Sequence, residues 1–243
     1  MTETGAPRTH GRYALIPTHN RPDELAALVS VLVAEADLVV VVDNASSPPV
    51  SLRALREACE YPRGQIWVMR DEEQPPNLAR MWNAGFDAIA DGHARREGYS
   101  TWDVAVLNDD AAPHSGWLTA TADAMRAHEA GPAAACMLPI AGMPLVKTKP
   151  DRNLGTRMYG PAFVVRGELT VGEPAALRAD ERMRWWWQDT DLDWQARGLG
   201  GMLVVPGPHV PNRHANESTV GELAEQAGRD GEIFAEKWGF RPW

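Results

Sequence analysis

Leu38-Val39-Val40-Val41-Val42-Asp43-Asn44-Ala45-Ser46-Ser47-Pro48-Pro49 decides how the rest of the chain is read. Five consecutive apolar residues, four of them valine, stop abruptly on a dense turn signal. A strand covered on one face alternates apolar and polar side chains, whereas a run without alternation is covered on both. Sheets of that kind are mostly parallel and need a helix between successive strands. The sequence just upstream supplies one. Tyr13–Ile16 is a short apolar run ending at Pro17-Thr18-His19-Asn20, and Leu25, Leu28, Val29, Leu32 and Val33 then recur at helical spacing. Asn20 is the expected cap of that helix; Pro22 suits its first turn, and Asp23 and Glu24 complement its dipole.

The alternation continues downstream. Strand-like Ile66–Met69 precedes a helical stretch at Asn77–Ala90, with Leu78, Met81, Trp82, Phe86 and Ile89 on one face. Val104–Leu107 reads as a strand, Trp117–His128 as a helix, and Ala133–Leu138 and Ala162–Val165 as strands. A helix at Asp189–Arg197, a strand at Met202–Val205 and a last helix ending near Trp238 complete the pattern. Between them, Ala141–Gly160 is rich in Gly and Pro and carries Lys147, Lys149, Arg152 and Arg157, which reads as a basic loop. The expected class is therefore α/β, a Rossmann-like, mostly parallel central sheet with helices on both faces. Residues 1–12 read as a flexible leader and 13–243 as one domain.

Composition narrows the function classes. A net charge of -9 argues against a broad nucleic-acid surface. The first residues lack an apolar segment of signal-peptide type, and no apolar run reaches the ~20 residues of a membrane span. Cys59 and Cys136 stand far apart, in no metal-ligand spacing, which fits buried thiols in a reducing compartment. A cytoplasmic protein without a membrane span is the expectation. Ten tryptophans against four tyrosines and four phenylalanines leave a few indoles to serve as platforms for sugars or bases.

The polar residues fall at informative places. Thr18 and Asn20, Asp43 and Asn44, and Asp109 and Asp110 each follow an expected strand. In a parallel sheet those strand ends share one edge, outside which ligands bind. Turns favour Asp and Asn in any protein, but three such clusters converge on one crevice here. In Asn108-Asp109-Asp110, adjacent carboxylates repel each other unless a cation joins them, and a hard divalent ion takes oxygen ligands of this kind. Trp185-Trp186-Trp187-Gln188-Asp189-Thr190-Asp191-Leu192-Asp193 sets alternating carboxylates at a helix start behind three indoles. Such acids suit a first turn structurally, and an Asp against aromatic walls also suits a general base. His214 lies in a late polar loop.

Taken in order, ALIPTHNRP, VVVVDNASS, NLARMWNAGF, VAVLNDDAAPHSGWL, WWWQDTDLDWQARGLGG and His214 resemble family 2 of the inverting glycosyltransferases, over roughly Tyr13 to Ser218. The resemblance implies the GT-A fold and a nucleotide-sugar donor, commonly a UDP-sugar. It also implies roles. Pro17, Thr18 and Asn20 match the turn that cradles the nucleoside, and Asp43 matches the acid that recognises the base. Arg80 and Asn83 stand where the family contacts the donor. Asn108-Asp109-Asp110 matches the DXD motif, with Asn108 and Asp109 on the donor and Asp110 binding Mn²⁺ or Mg²⁺. His214 matches the histidine that completes the metal site. Asp189 matches the catalytic base, with Asp191 as the alternative, and Trp186 and Trp187 are candidates for the acceptor wall. Two positions depart from the pattern: Asn108 replaces the first acid of DXD, and Gln188 replaces the Glu of the family's Glu-Asp pair.

The function this implies is metal-dependent, inverting transfer of a hexosyl or pentosyl group to an acceptor hydroxyl. Asn108 and Gln188 motivate a different class, a nucleotide-sugar binding module with degenerate catalysis. A sugar-nucleotide pyrophosphorylase would carry a Gly-rich loop after the first strand, where this chain reads Pro17-Thr18-His19-Asn20-Arg21-Pro22. Short members ending like Lys237-Trp238-Gly239 resemble bacteriophage-encoded enzymes, some of which modify DNA bases. A modified DNA base, a glycan and a protein side chain are thus the acceptor classes implied.

Overall fold

Leu38–Asn44 forms a strand, β2, that is buried along its whole length. In the computed structural model, which describes residues 10–59, 66–128, 131–138, 158, 160–172, 174–213 and 221–240, β2 is one of seven strands. The others are β1 (His10–Thr18), β3 (Ile66–Asp71), β4 (Thr101–Leu107), β5 (Ala134–Leu138), β6 (Ala162–Arg166) and β7 (Met202–Pro206). They form one sheet in the order β3-β2-β1-β4-β6-β5-β7. Only β6 runs antiparallel to its neighbours, β4 and β5; the other pairings are parallel. The helices are α1 (Pro22–Leu32), α2 (Leu52–Cys59), α3 (Leu78–Ile89), α4 (Trp117–Arg126), α5 (Gln188–Leu199) and α6 (Gly221–Trp238).

The valine run explains the layering. Val40 and Val42 pack with Ala79, Met81, Trp82 and Phe86 of α3 and with Leu192 and Ala196 of α5. Val39 and Val41, pointing the other way, pack with Leu25, Leu28 and Val29 of α1, Leu55 of α2 and Leu118 of α4. Successive strand residues alternate faces, so one run feeds two cores and helices must cover both. Each side chain so buried contributes roughly 1.5–3 kcal/mol. The fold is the α/β arrangement expected from the sequence, that of the GT-A glycosyltransferases.

Several boundaries differ from expectation. Strand β1 starts at His10, so His10–Arg12 belong to the sheet rather than to a leader; they pair with Thr101–Asp103. Helix α2, not expected from the sequence, is short; its stripe is only Leu52, Leu55 and Cys59, of which Leu55 alone is fully buried. Asn20 does not cap α1. The N-cap is Arg21, without a side-chain hydrogen bond, while Asn20 sits at φ 55° and its Oδ1 accepts from Ser47 N at 2.7 Å. Pro22, Asp23 and Glu24 do occupy the first turn. Helix α3 is capped by Asn77, whose Oδ1 accepts from Arg80 N at 3.0 Å. Cys136 is buried and Cys59 half-buried. Among the described residues no helix is long and apolar enough to cross a membrane. The basic loop lies almost wholly outside the described residues.

Candidate active site

Chain order reverses at β1: β2 and β3 lie on one side of it and β4 on the other. In an open α/β sheet that switch point opens a crevice at the carboxyl ends of the strands. One hydrogen bond spans it, from Thr18 Oγ1 at the end of β1 to Asp109 Oδ2 beyond β4, at 2.9 Å. His19 N donates to the same oxygen at 3.3 Å, and Arg21 Nη1 reaches Asp109 Oδ1 at 3.1 Å. The same Nη1 lies 3.4 Å from Asp110 Oδ2. Burial pushes the Asp109 carboxyl above the usual range, outweighing Thr18, Arg21 and His19, and the neighbouring Asp110 pushes the same way.

Asp110 differs from its neighbour. Among the described residues Arg21 is the only partner of its side chain, which is largely buried. Its backbone carbonyl accepts from Arg213 N at 2.9 Å, and Ala112 N donates to Pro211 O at 2.9 Å. Ala111 and Asn212 form an isolated antiparallel bridge. The segment leading to residue 214 is therefore stitched to the aspartate turn, although His214 itself lies outside the described residues. Two carboxylates facing one guanidinium leave surplus negative charge in hard oxygen donors, which fits a divalent cation. Among the described residues no three His, Cys, Asp or Glu are grouped to hold one. A cation there would need ligands beyond those the described residues group together.

At the end of β2, adjacent residues divide the work. Asp43 accepts from Ser46 N (2.9 Å) and Val50 N (3.0 Å), and Arg70 Nη1 reaches it at 2.6 Å. Burial alone would raise its carboxyl; the hydrogen bonds from Ser46, Val50 and Arg70 outweigh it and hold the group below the usual range. These bonds shape the turn that follows the strand. Asn44 points to the opposite face, and its buried Oδ1 meets no hydrogen-bond partner among the described residues. A buried, unsatisfied amide at a strand's carboxyl end calls for an explanation, and a ligand group is one. Asn44, absent from the sequence-predicted site, thus emerges beside Asp43.

The three aspartates of the tryptophan segment diverge. Asp189 is half-buried, and its Oδ1 accepts from Thr190 N at 2.7 Å. A Cβ at Gly160 would lie 2.7 Å from Asp189 Oδ2, so glycine leaves the space this carboxylate occupies. Pro161, next in the chain, accepts from Asn108 N at 3.0 Å. Asp189 and the aspartate turn therefore flank one short Gly160-Pro161 segment. Asp191 is fully buried and turns away. It takes Lys237 Nζ at 2.7 Å, Trp238 Nε1 at 2.9 Å and Gln195 Nε2 at 2.8 Å. It clamps the end of α6. Asp193 holds Arg197 and Met158 N.

The indoles separate as well. Trp185 packs on one core face, and Trp187 packs on Phe234 with ring centroids 6.0 Å apart. Trp187 also has φ 71°, a left-handed conformation that costs a bulky residue on the order of 1–3 kcal/mol and persists only where surroundings impose it. Asp230 of α6 imposes much of it. This fully buried carboxylate accepts from Arg184 N (3.0 Å), Trp185 N (2.8 Å) and Trp186 N (2.9 Å). Trp186 belongs to no core cluster and keeps a buried Nε1 without a hydrogen-bond partner among the described residues.

Residues 13–176 match the sequence profile described as glycosyl transferase family 2. The chain belongs to glycosyltransferase family 2. Solved structures agree at the level of fold. Glucosyl-3-phosphoglycerate synthase from Mycobacterium tuberculosis, in complex with Mn²⁺, UDP and glucosyl-3-phosphoglycerate, superposes with a TM-score of 0.64 at 14% identity, covering 95% of this chain and 80% of that one. The same enzyme with Mg²⁺ and UDP gives 0.64 at 12% identity over the same shares. A further mycobacterial protein gives 0.59 at 11% identity, covering 95% of this chain and 75% of that one. No curated protein matches the chain in sequence.

For this family 2 glycosyltransferase, two more of the expected site residues are engaged by protein partners. Both amide hydrogens of Asn83 go to Ala179 O and Glu181 Oε1, and its Oδ1 accepts from Ala179 N. Asn83 braces the segment before the tryptophans. Arg80 pairs with Asp71 at 2.8 Å and Glu73 at 3.3 Å, at the rim beyond β3. Gln188 is buried and its Nε2 donates to Met183 O at 3.2 Å, so it secures the loop rather than ionising. Lys237 and Trp238 are the Asp191 clamp, which gives the Lys-Trp-Gly ending a structural role.

Proposed function

We propose that this chain transfers a sugar, with inversion, from a nucleoside diphosphate donor of the UDP class to an acceptor hydroxyl. The observation that carries this reading is the placement of Asp189 and the Asn108–Asp110 turn on either side of Gly160-Pro161. A base and a leaving-group site must lie on opposite faces of the transferred sugar, and this arrangement leaves them adjacent but separate. Asp189 takes the proton from the acceptor hydroxyl as that oxygen attacks the anomeric carbon. Gly160, where a Cβ would lie 2.7 Å from Asp189 Oδ2, leaves room for that carboxylate. Trp186 faces the acceptor, its indole N–H supplying a hydrogen bond for which the described residues offer no acceptor.

On the donor side, Pro17, Thr18 and Asn20 line the nucleoside, with Asn108 and Asp109 at the ribose and Asn44 in place of Asp43 at the base. Arg80 stands at the outer rim, within reach of the diphosphate. Mn²⁺ or Mg²⁺, held by Asp110 and His214, would offset charge developing on the leaving diphosphate. The neighbouring structures hold UDP with either ion, which supports both the donor class and the metal. The acceptor is found by screening glycans, protein side chains and hydroxymethylated DNA.

A thermal-shift panel of UDP, GDP, CDP, ADP and TDP, with and without Mn²⁺, tests the site on wild type and Asp110→Ala. A ligand at a hundredfold excess over Kd stabilises by ~2.7 kcal/mol, which a melt resolves. A shift from one nucleotide that requires both Mn²⁺ and Asp110 supports the proposal. No metal-dependent shift with any nucleotide, in a folded protein, overturns it.

A further inference from the structure

Among the described residues Asp110 is held by one side chain only, and that side chain is itself a cation. Arg21 Nη1 lies 3.1 Å from Asp109 Oδ1 and 3.4 Å from Asp110 Oδ2, so a single nitrogen serves both acids. The backbone of Arg21 is fixed as the cap of α1, where its carbonyl accepts from Leu25 N at 3.0 Å. Its side chain is 37% exposed, while those of Asp109 and Asp110 are 11% and 8% exposed. The acids are thus walled in and the guanidinium is the part with room to move. Asp109 keeps Thr18 and His19 as partners if Arg21 leaves; Asp110 keeps none among the described residues.

We infer that Arg21 is a built-in counter-cation that withholds Asp110 from a metal until the donor's diphosphate draws the guanidinium away. This rests on the metal-dependent donor site proposed above. A divalent ion on Asp110 would sit at ~2.0–2.6 Å from its oxygen, on the same carboxylate that Arg21 faces. Two cations within about 4 Å repel strongly in a partly buried cleft, so they do not share the carboxylate without a compensating anion. A diphosphate is that anion, and a guanidinium pairs with its oxygens bidentately. Metal and nucleotide then bind with positive coupling, each raising the affinity of the other by the same factor. Arg21 is a positioning residue in this scheme, acting on the metal through Asp110.

Mn²⁺ binding measured by loss of the free-ion EPR signal, with and without UDP, tests this without turnover. In wild type, UDP tightens Mn²⁺ binding. Arg21→Gln is expected to bind Mn²⁺ alone on the order of tenfold tighter, shrinking the UDP-dependent gain correspondingly. Arg21→Lys keeps a cation at the site and stays near wild type; Arg21→Met, which keeps the aliphatic stem, repeats the test if the Gln variant does not fold. If charge removal leaves Mn²⁺ affinity unchanged or weaker, while Mn²⁺–UDP binding still requires Asp110, the Arg21 inference falls alone. If wild type binds no Mn²⁺ with UDP, or Asp110→Asn binds it equally well, the metal site falls and this inference with it.

Discussion

Replacing Asp230 by Ala should be among the most damaging single changes outside the cleft. Its carboxylate is fully buried and accepts three consecutive backbone N–H groups, from Arg184, Trp185 and Trp186, plus Gln226 Nε2 at 2.6 Å. Hydrogen bonds to a charged group are worth ~1.5–3 kcal/mol each, and a buried donor left unmade costs ~1–3 kcal/mol. Water entering the vacated space recovers part of this, so the net loss is expected at about 3–5 kcal/mol rather than the full sum. Asp230→Asn keeps the shape but presents an amide N–H₂ to N–H groups on one side, and should lose about 2–3 kcal/mol. Urea unfolding followed by tryptophan fluorescence, with m held equal across variants, gives both values. Because residues 184–187 lead into Asp189, turnover of the folded Asn variant should fall more than UDP affinity does. A loss below ~1 kcal/mol for the Ala variant would refute the idea that this carboxylate holds the strained tryptophan turn.

Asp189→Asn should lower kcat by ~10²–10⁴-fold with UDP and Mn²⁺ affinity unchanged; Gly160→Ala should lower kcat in the same direction by displacing that carboxylate. Equal activity in either variant counts against Asp189 as the base. Asp191→Asn should instead cost about 2–3 kcal/mol of stability, because it removes the charge paired with Lys237 and turns an amide N–H₂ toward groups that are all donors, and spare nucleotide binding. A large loss of UDP affinity without a fall in Tm would place Asp191 in the cleft after all. For pH, burial alone would raise the Glu168 carboxyl, but the Arg126 guanidinium at 2.7 and 2.8 Å outweighs it and holds the group below its usual range. Its stabilising contribution is therefore present above the unfolded value of ~4.3 and lost as pH falls through the folded value. The Tm gap between wild type and Glu168→Gln should be widest near neutral pH and close in acid; a gap that widens in acid contradicts the pairing.

What the sequence disclosed, and what it withheld, follows from the range of the interactions involved. Strands β1, β2 and β4 were legible because unalternated apolar runs report burial on both faces, a local signal. Their polar ends were legible as a group because parallel strands share one edge. The role of each residue at that edge was not. Asp43 and Asn44 are neighbours in sequence, yet strand alternation sends one into the turn and leaves the other's amide oxygen orphaned. Asp189, Asp191 and Asp193 look like one acidic repeat, but in a helix successive alternate residues point about 200° apart. One consequently meets Gly160, one Lys237 and one Arg197. The bonds by which Asp230 and Lys237 hold the tryptophan segment carried no local signal, since they span 44–46 residues. Helix α6 could be recognised as a helix from its own residues, but its work as the clamp behind the tryptophan turn exists only once the chain has folded. The same holds for Arg21, which is separated from Asp110 in the chain by α1, β2, α2, β3, α3 and β4 but lies 3.4 Å from it across the switch point. Cleft chemistry in this fold is assembled from strand ends, and a sequence reveals which residues arrive there before it reveals which of them face one another.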